Sequence, residues 1–88
     1  MKLTLSSAGN PDHGQNPFLP VFGSEDNYTT TVSSFTEAAK ECLAFIQRND
    51  LGGGNWTGGE IFNDENKLIA RVSYNGRIIE KDRPYFSL

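Results

Sequence analysis

The chain has 88 residues, 36% hydrophobic and 22% charged, with eleven acidic residues against eight basic ones for a net charge of −3. That length holds one core, so residues 1–88 read as a single domain, and a lone cysteine, Cys42, excludes an internal disulfide or a cysteine zinc cluster. Lys and Arg are scattered singly, which leaves no nucleic-acid footprint, and no stretch approaches the roughly 20 apolar residues of a membrane span.

The opening residues, Met1 to Leu5, lack the apolar run of a secretory signal, so the expected location is the cytoplasm. Leu3 and Leu5 alternate with Lys2, Thr4 and Ser6, which predicts a short strand. Residues 7–27, "SAGNPDHGQNPFLPVFGSEDN", then form a long loop rich in Gly, Pro, Asn and Asp. Loops of this length are functional or disordered. Four apolar residues in it, Phe18, Leu19, Val21 and Phe22, predict that its middle packs on something. "YTTTV", 28–32, predicts a second strand.

Ser34-Phe35-Thr36-Glu37 fits a capping box, with Ser34 capping the N–H of Glu37 and Glu37 reaching back. Phe35, Ala38, Ala39, Cys42, Leu43 and Ile46 then recur as one helical stripe, and Asn49 or Gly52 is expected to end the helix in the left-handed conformation. Three short strands follow, "EIFN", "KLIARVSY" and "RIIEK". Asn75-Gly76 predicts a type I′ hairpin turn, with Tyr74 opposite Arg77, Val72 opposite Ile79 and Arg71 opposite Glu80. A symmetric turn at Asp64–Lys67 sets Glu60 opposite Arg71 and Ile61 opposite Ala70. The two registers together predict a charge row of Glu60, Arg71 and Glu80. They also place Ile61, Leu68, Ala70, Val72, Tyr74 and Ile79 on the face that meets the helix. Phe62, Ile69 and Ile78 fall on the other face, which is too apolar for a fully solvated surface. The 17–22 segment, Tyr85 and Phe86, a second copy or another protein are the candidates to cover it.

No catalytic constellation emerges. His13 is a lone loop histidine beside Asp12. Cys42 lies on the apolar stripe. Asp64 and Glu65 sit at a turn tip without a cleft. No metal or cofactor site is expected. The stretch 51–60, "LGGGNWTGGE", is no phosphate loop, because it leaves a helix and enters a strand and holds no lysine. Its glycines read as a two-sided hinge. Trp56 reads either as a core cap with its indole N–H on a loop carbonyl, or as an outward anchor for a partner.

Residues 35–78 resemble a type of short bacterial protein associated with phages and other mobile elements. The likeness is carried by Asn55-Trp56-Thr57-Gly58-Gly59-Glu60 and by Ile69-Ala70-Arg71-Val72-Ser73-Tyr74-Asn75-Gly76-Arg77. It implies a common fold and brings no activity with it. By analogy of size and origin it implies an inhibitor of host defence, such as an anti-CRISPR protein, that acts by occupying a surface. The expected fold is α+β, one helix on an antiparallel sheet in the order ββαβββ with a C-terminal three-stranded meander. The expected function is a non-catalytic protein-binding module acting on a defence complex that itself binds nucleic acid. Its contacts are expected from Trp56, Tyr74, Arg77, Phe18 and Phe22, with Glu60, Asp64 and Glu65 meeting a basic groove. A homodimer that buries its second sheet face, and a small enzyme using Asp12, His13 or a carboxylate pair, are the alternatives.

Overall fold

A computed structural model describes residues 1–81. One helix packs on a five-stranded antiparallel sheet of order β2-β1-β3-β4-β5, with the helix between β2 and β3 in sequence. The strands are β1 (Lys2–Leu5), β2 (Tyr28–Thr31), β3 (Glu60–Phe62), β4 (Leu68–Val72) and β5 (Ile78–Glu80), and the helix is α1 (Phe35–Arg48). The ββαβββ order and the closing meander are as the sequence predicts. Tyr85 and Phe86 lie outside the described residues.

Ser34 caps α1 by accepting the Glu37 N–H at 3.0 Å. Glu37 reaches back one residue further than a capping box requires. Its carboxylate accepts the Ser33 N–H and the Ser33 hydroxyl, and these two bonds hold its pKa below the usual carboxylate value. The buried stripe is Ala38, Cys42, Phe45 and Ile46. This corrects the predicted one. Phe45, fully buried, replaces Leu43, which is 43% exposed. Residues 42–46 are apolar at every position but one turn can bury only part of them, and Ala38, Cys42 and Phe45 at i, i+4 and i+7 share the face that wins. Inside the core, burial and the nearby Glu41 charge push the Cys42 thiol up to about 12. Cys42 will therefore resist a thiol reagent at pH 8 in the native protein and react fully once urea unfolds it; rapid labelling of the native form would contradict its placement.

The helix ends in a Schellman motif. Asp50 donates its N–H to Gln47 and Leu51 donates to Ile46, with Asp50 in the left-handed region at φ 51°. Neither Asn49, at φ −101°, nor Gly52 takes that position. Asp50 is a poor occupant on two counts, its Cβ and its negative charge at the helix C-terminus. Asp50→Gly should therefore raise stability by roughly 0.5–1 kcal/mol, read as a higher urea midpoint.

The β3–β4 register matches the prediction, Glu60 opposite Arg71 and Ile61 opposite Ala70, and then slips by one so that Phe62 opposes Leu68. The extra residue is Ile69. It is drawn toward the core while Leu68 turns with Phe62 to the outer face, because a bulge reverses the alternation beyond it. The β4–β5 register differs from the prediction throughout: Val72 opposes Ile78, Arg71 opposes Ile79 and Ala70 opposes Glu80. Ile78 thus packs on the core and Ile79 lies outside, and the charge row stops at Arg71. The cause is the turn. Asn75 does not take positive φ, as a type I′ turn demands, and Gly76 alone is left-handed at φ 85°. Ser73 donates to Arg77 and Gly76 donates to Ser73, which makes a three-residue loop closed by a left-handed residue. The β3–β4 turn is built the same way, with Asn66 at φ 67° in the left-handed place and Asn63 bonded to Lys67. "NDENK" and "SYNGR" are one device used twice.

Candidate functional site

β1 runs away from Met1, and everything at its far end gathers at one pole of the domain. Ser7 pairs with Trp56 as an isolated bridge, and the Ala8 N–H donates to Asn55. The Asn55 side chain donates to the Ala8 carbonyl at 3.0 Å and to Gln15 Oε1 at 2.9 Å. These bonds join the long loop to the glycine segment. Tyr74, in the β4–β5 turn, donates its hydroxyl to the Leu51 carbonyl at 2.9 Å and lays its ring beside Gly53. The pole therefore consists of residues 7–27, the end of α1, residues 49–58 and the 73–77 turn.

The long loop is tied down at several points. Asn10 caps a 3-10 turn, Pro11–His13. Ser7, buried, receives the Val21 N–H on its hydroxyl, and its backbone N–H and C=O bond the Asn27 side chain. Asn49 accepts the Glu25 N–H at 2.8 Å and donates to the Glu25 carboxylate. Arg48 meets the same carboxylate at 2.7 Å, donates to the Tyr28 hydroxyl at 3.0 Å and lies 5.5 Å above the Phe45 ring. The Arg48 and Asn49 hydrogen bonds hold the Glu25 pKa below its ordinary 4.5, and the Glu25 carboxylate in turn raises that of Arg48. A depressed carboxylate stabilises the fold above its unfolded value and stops doing so as the pH falls through the folded one. The tether will thus loosen below about pH 4.5. Glu25→Gln should remove that part of the acid sensitivity in a series of melting curves.

Between the tethers the loop holds its aromatic residues outward. Phe18 follows an Asn16-capped turn in which Asn16 Oδ1 accepts the Phe18 N–H at 2.9 Å, and Phe22 lies within a second turn closed by Ser24 on Val21. Phe18 is 91% exposed and Phe22 fully so, and Leu19 between them is exposed as well. Only Val21 packs on the core, so the predicted packing of the loop's middle reduces to one side chain. The other large exposed apolar side chains among the described residues are Tyr28, Leu43 and Tyr74. Tyr28 and Tyr74 lie at the same pole, and Leu43 lies against Gly76 of the 73–77 turn.

The remaining predicted contacts separate. Trp56 is 8% exposed, its indole N–H donating to the Val72 carbonyl at 3.1 Å and its ring 6.1 Å from Phe45. It is the core cap and not an outward anchor. The hinge reading of its glycines also changes. A Cβ on Gly59, at φ 94°, would lie 2.3 Å from the Val72 carbonyl oxygen, and one on Gly58 would strike the backbone of Thr4 and Ser6. Both are sites of close approach beneath the indole. Arg77 is exposed at the turn but does not oppose Tyr74; Ser73 does that. Glu60 is half-buried on the outer sheet face. Asp64 and Glu65 lie at the opposite pole, Asp64 3.8 Å from the Met1 amino group and Glu65 3.4 Å from Lys67. His13 is exposed in the loop, and no group of three His, Cys, Asp or Glu is placed to hold a metal among the described residues. No described helix is long and apolar enough to cross a membrane.

Comparison with protein-family models, with curated proteins and with solved structures returns no match.

Proposed function

We propose that the chain is a non-catalytic protein-binding module whose loop pole docks into apolar pockets of its partner, and that it serves a phage or mobile element in the bacterial cytoplasm as an inhibitor of a defence complex. The observation that carries the binding reading is the pair Phe18 and Phe22. Solvent-exposed phenylalanines cost solubility and do nothing for a monomer's stability, and here a set of part-buried and charge-assisted hydrogen bonds ties down the loop that bears them. Rigid aromatic side chains on a pre-ordered loop lose little entropy on binding, which is the economy of a binding hot spot. The defence-inhibitor reading rests on the resemblance of residues 35–78 and on size. Asp64 and Glu65 sit on the far side from the aromatic residues, so acidic steering toward a basic groove is not part of the same contact.

Immobilised wild-type protein should capture a stable partner from bacterial lysate, identifiable by mass spectrometry. Phe18→Ser/Phe22→Ser should lose it. Equal capture by both proteins would defeat the proposal.

A further inference from the structure

The outer edge of β2 is short, but it carries neither the charges nor the proline by which sheets protect an edge. Residues 27–33, Asn-Tyr-Thr-Thr-Thr-Val-Ser, contain no charge, no proline and no glycine. Val32 donates its N–H to the Met1 carbonyl at 2.9 Å, and the Met1 amino group donates to the Val32 carbonyl at 3.1 Å. Hydrogen-bonded positions alternate along an antiparallel pair. Tyr28, Thr30 and Val32 therefore turn their backbone groups toward β1, while Thr29 and Thr31 turn theirs to the free edge. Among the described residues no strand pairs with that side.

We infer that a second copy of this chain adds there, with the two β2 strands antiparallel about a two-fold axis at Thr30, joining the two sheets into one. This inference is independent of the function proposed for the loop pole. The sequence of the edge selects a copy as occupant, because it is self-complementary in this register. Thr29 opposes Thr31 of the second copy and the reverse, so the four free backbone groups of each chain are all satisfied. Thr30 opposes itself. Tyr28, 40% exposed, opposes Val32, whose side chain is buried in its own core, so that position is neutral. Asn27 opposes Ser33. Within residues 27–33 no charge meets a like charge. An isologous contact of this kind closes as a dimer and does not propagate.

Light scattering after size exclusion, across a dilution series, should give twice the 9.7 kDa of one chain for the wild type. Thr29→Pro should be monomeric, since proline is tolerated where the N–H faces outward on an edge strand and spares the β1 pairing. Thr29→Lys blocks the same edge without touching the backbone and decides the matter if the proline variant does not fold. Thr30 is a non-hydrogen-bonded pair across the axis, about 4.5 Å between Cα atoms, within disulfide reach. Mild oxidation should therefore link Thr30→Cys to itself, while Ser33→Cys, which faces Asn27, should remain unlinked. A monomeric wild type at every concentration would overturn the inference. So would a Thr29→Lys protein that still dimerises, or a Ser33→Cys protein that links as readily as Thr30→Cys.

Discussion

Trp56→Ala should cost the domain about 3–5 kcal/mol, enough to leave a chain of this size largely unfolded at 37 °C. Three losses add up. The indole packs against Phe45 and covers Gly58 and Gly59, so its removal opens a large cavity. Those glycines offer no side chain to collapse into the space, and their backbones are fixed by the Gly59 bonds to Thr4 and Val72. The Val72 carbonyl also loses the indole N–H. Trp56→Phe keeps a ring and loses the hydrogen bond, and should fall between the alanine variant and the wild type in urea midpoint. The wild-type emission should be blue-shifted, because this is the chain's single tryptophan and it is buried. A Trp56→Ala protein within about 1 kcal/mol of wild type, roughly the worth of one buried methylene, would contradict the core placement.

Phe18→Ser/Phe22→Ser should behave in the opposite way. Neither ring is buried in the monomer, so melting temperature and circular dichroism should be unchanged. Partner affinity should fall steeply. Hot-spot aromatic residues are worth about 2 kcal/mol or more each, and two together imply a loss on the order of 10³-fold. The loop's rigidity adds a second handle. Ser7 is buried beneath it, and its hydroxyl accepts the Val21 N–H and meets the Ser24 hydroxyl. Ser7→Ala should loosen the loop and weaken binding through the cost of re-ordering it, with both phenylalanines still present.

What the sequence revealed and what it hid follow one division. Segments whose identity is set by local chemistry were legible: the Ser34 cap, the alternation of Leu3 and Leu5, and the order of elements. Phase and register were harder. The run from Cys42 to Ile46 fits more than one helical face, and only the sheet beneath decides for Phe45. Asn75-Gly76 signals a hairpin correctly but does not state how many residues the turn holds. Ser73 accepts the Arg77 N–H on its hydroxyl and favours the longer loop. That single added residue exchanges Ile78 for Ile79 on the core face. The parallel pattern of "NDENK" and "SYNGR" was the available sign, since a side-chain acceptor at the first position and Asn or Gly at the fourth suit a turn closed by a left-handed residue. Phe18 and Phe22, expected to pack with the middle of the loop, are exposed instead, because apolar residues in a loop carry no periodicity that says which way they face. Trp56 was not assignable, since a loop tryptophan flanked by glycines reads equally as cap or anchor until the strand passing beneath it is known.

The most direct test of the loop pole as the binding surface compares three purified proteins against the partner captured by the wild type. These are the wild type, Phe18→Ser/Phe22→Ser and Asp64→Lys/Glu65→Lys, the last altering only the far pole. Calorimetric titration should give full affinity for the wild type and the far-pole variant, and a loss on the order of 10³-fold for the aromatic variant. Retained affinity in the aromatic variant, with binding abolished in the far-pole variant, would contradict the assignment and move the contact to the other end of the sheet.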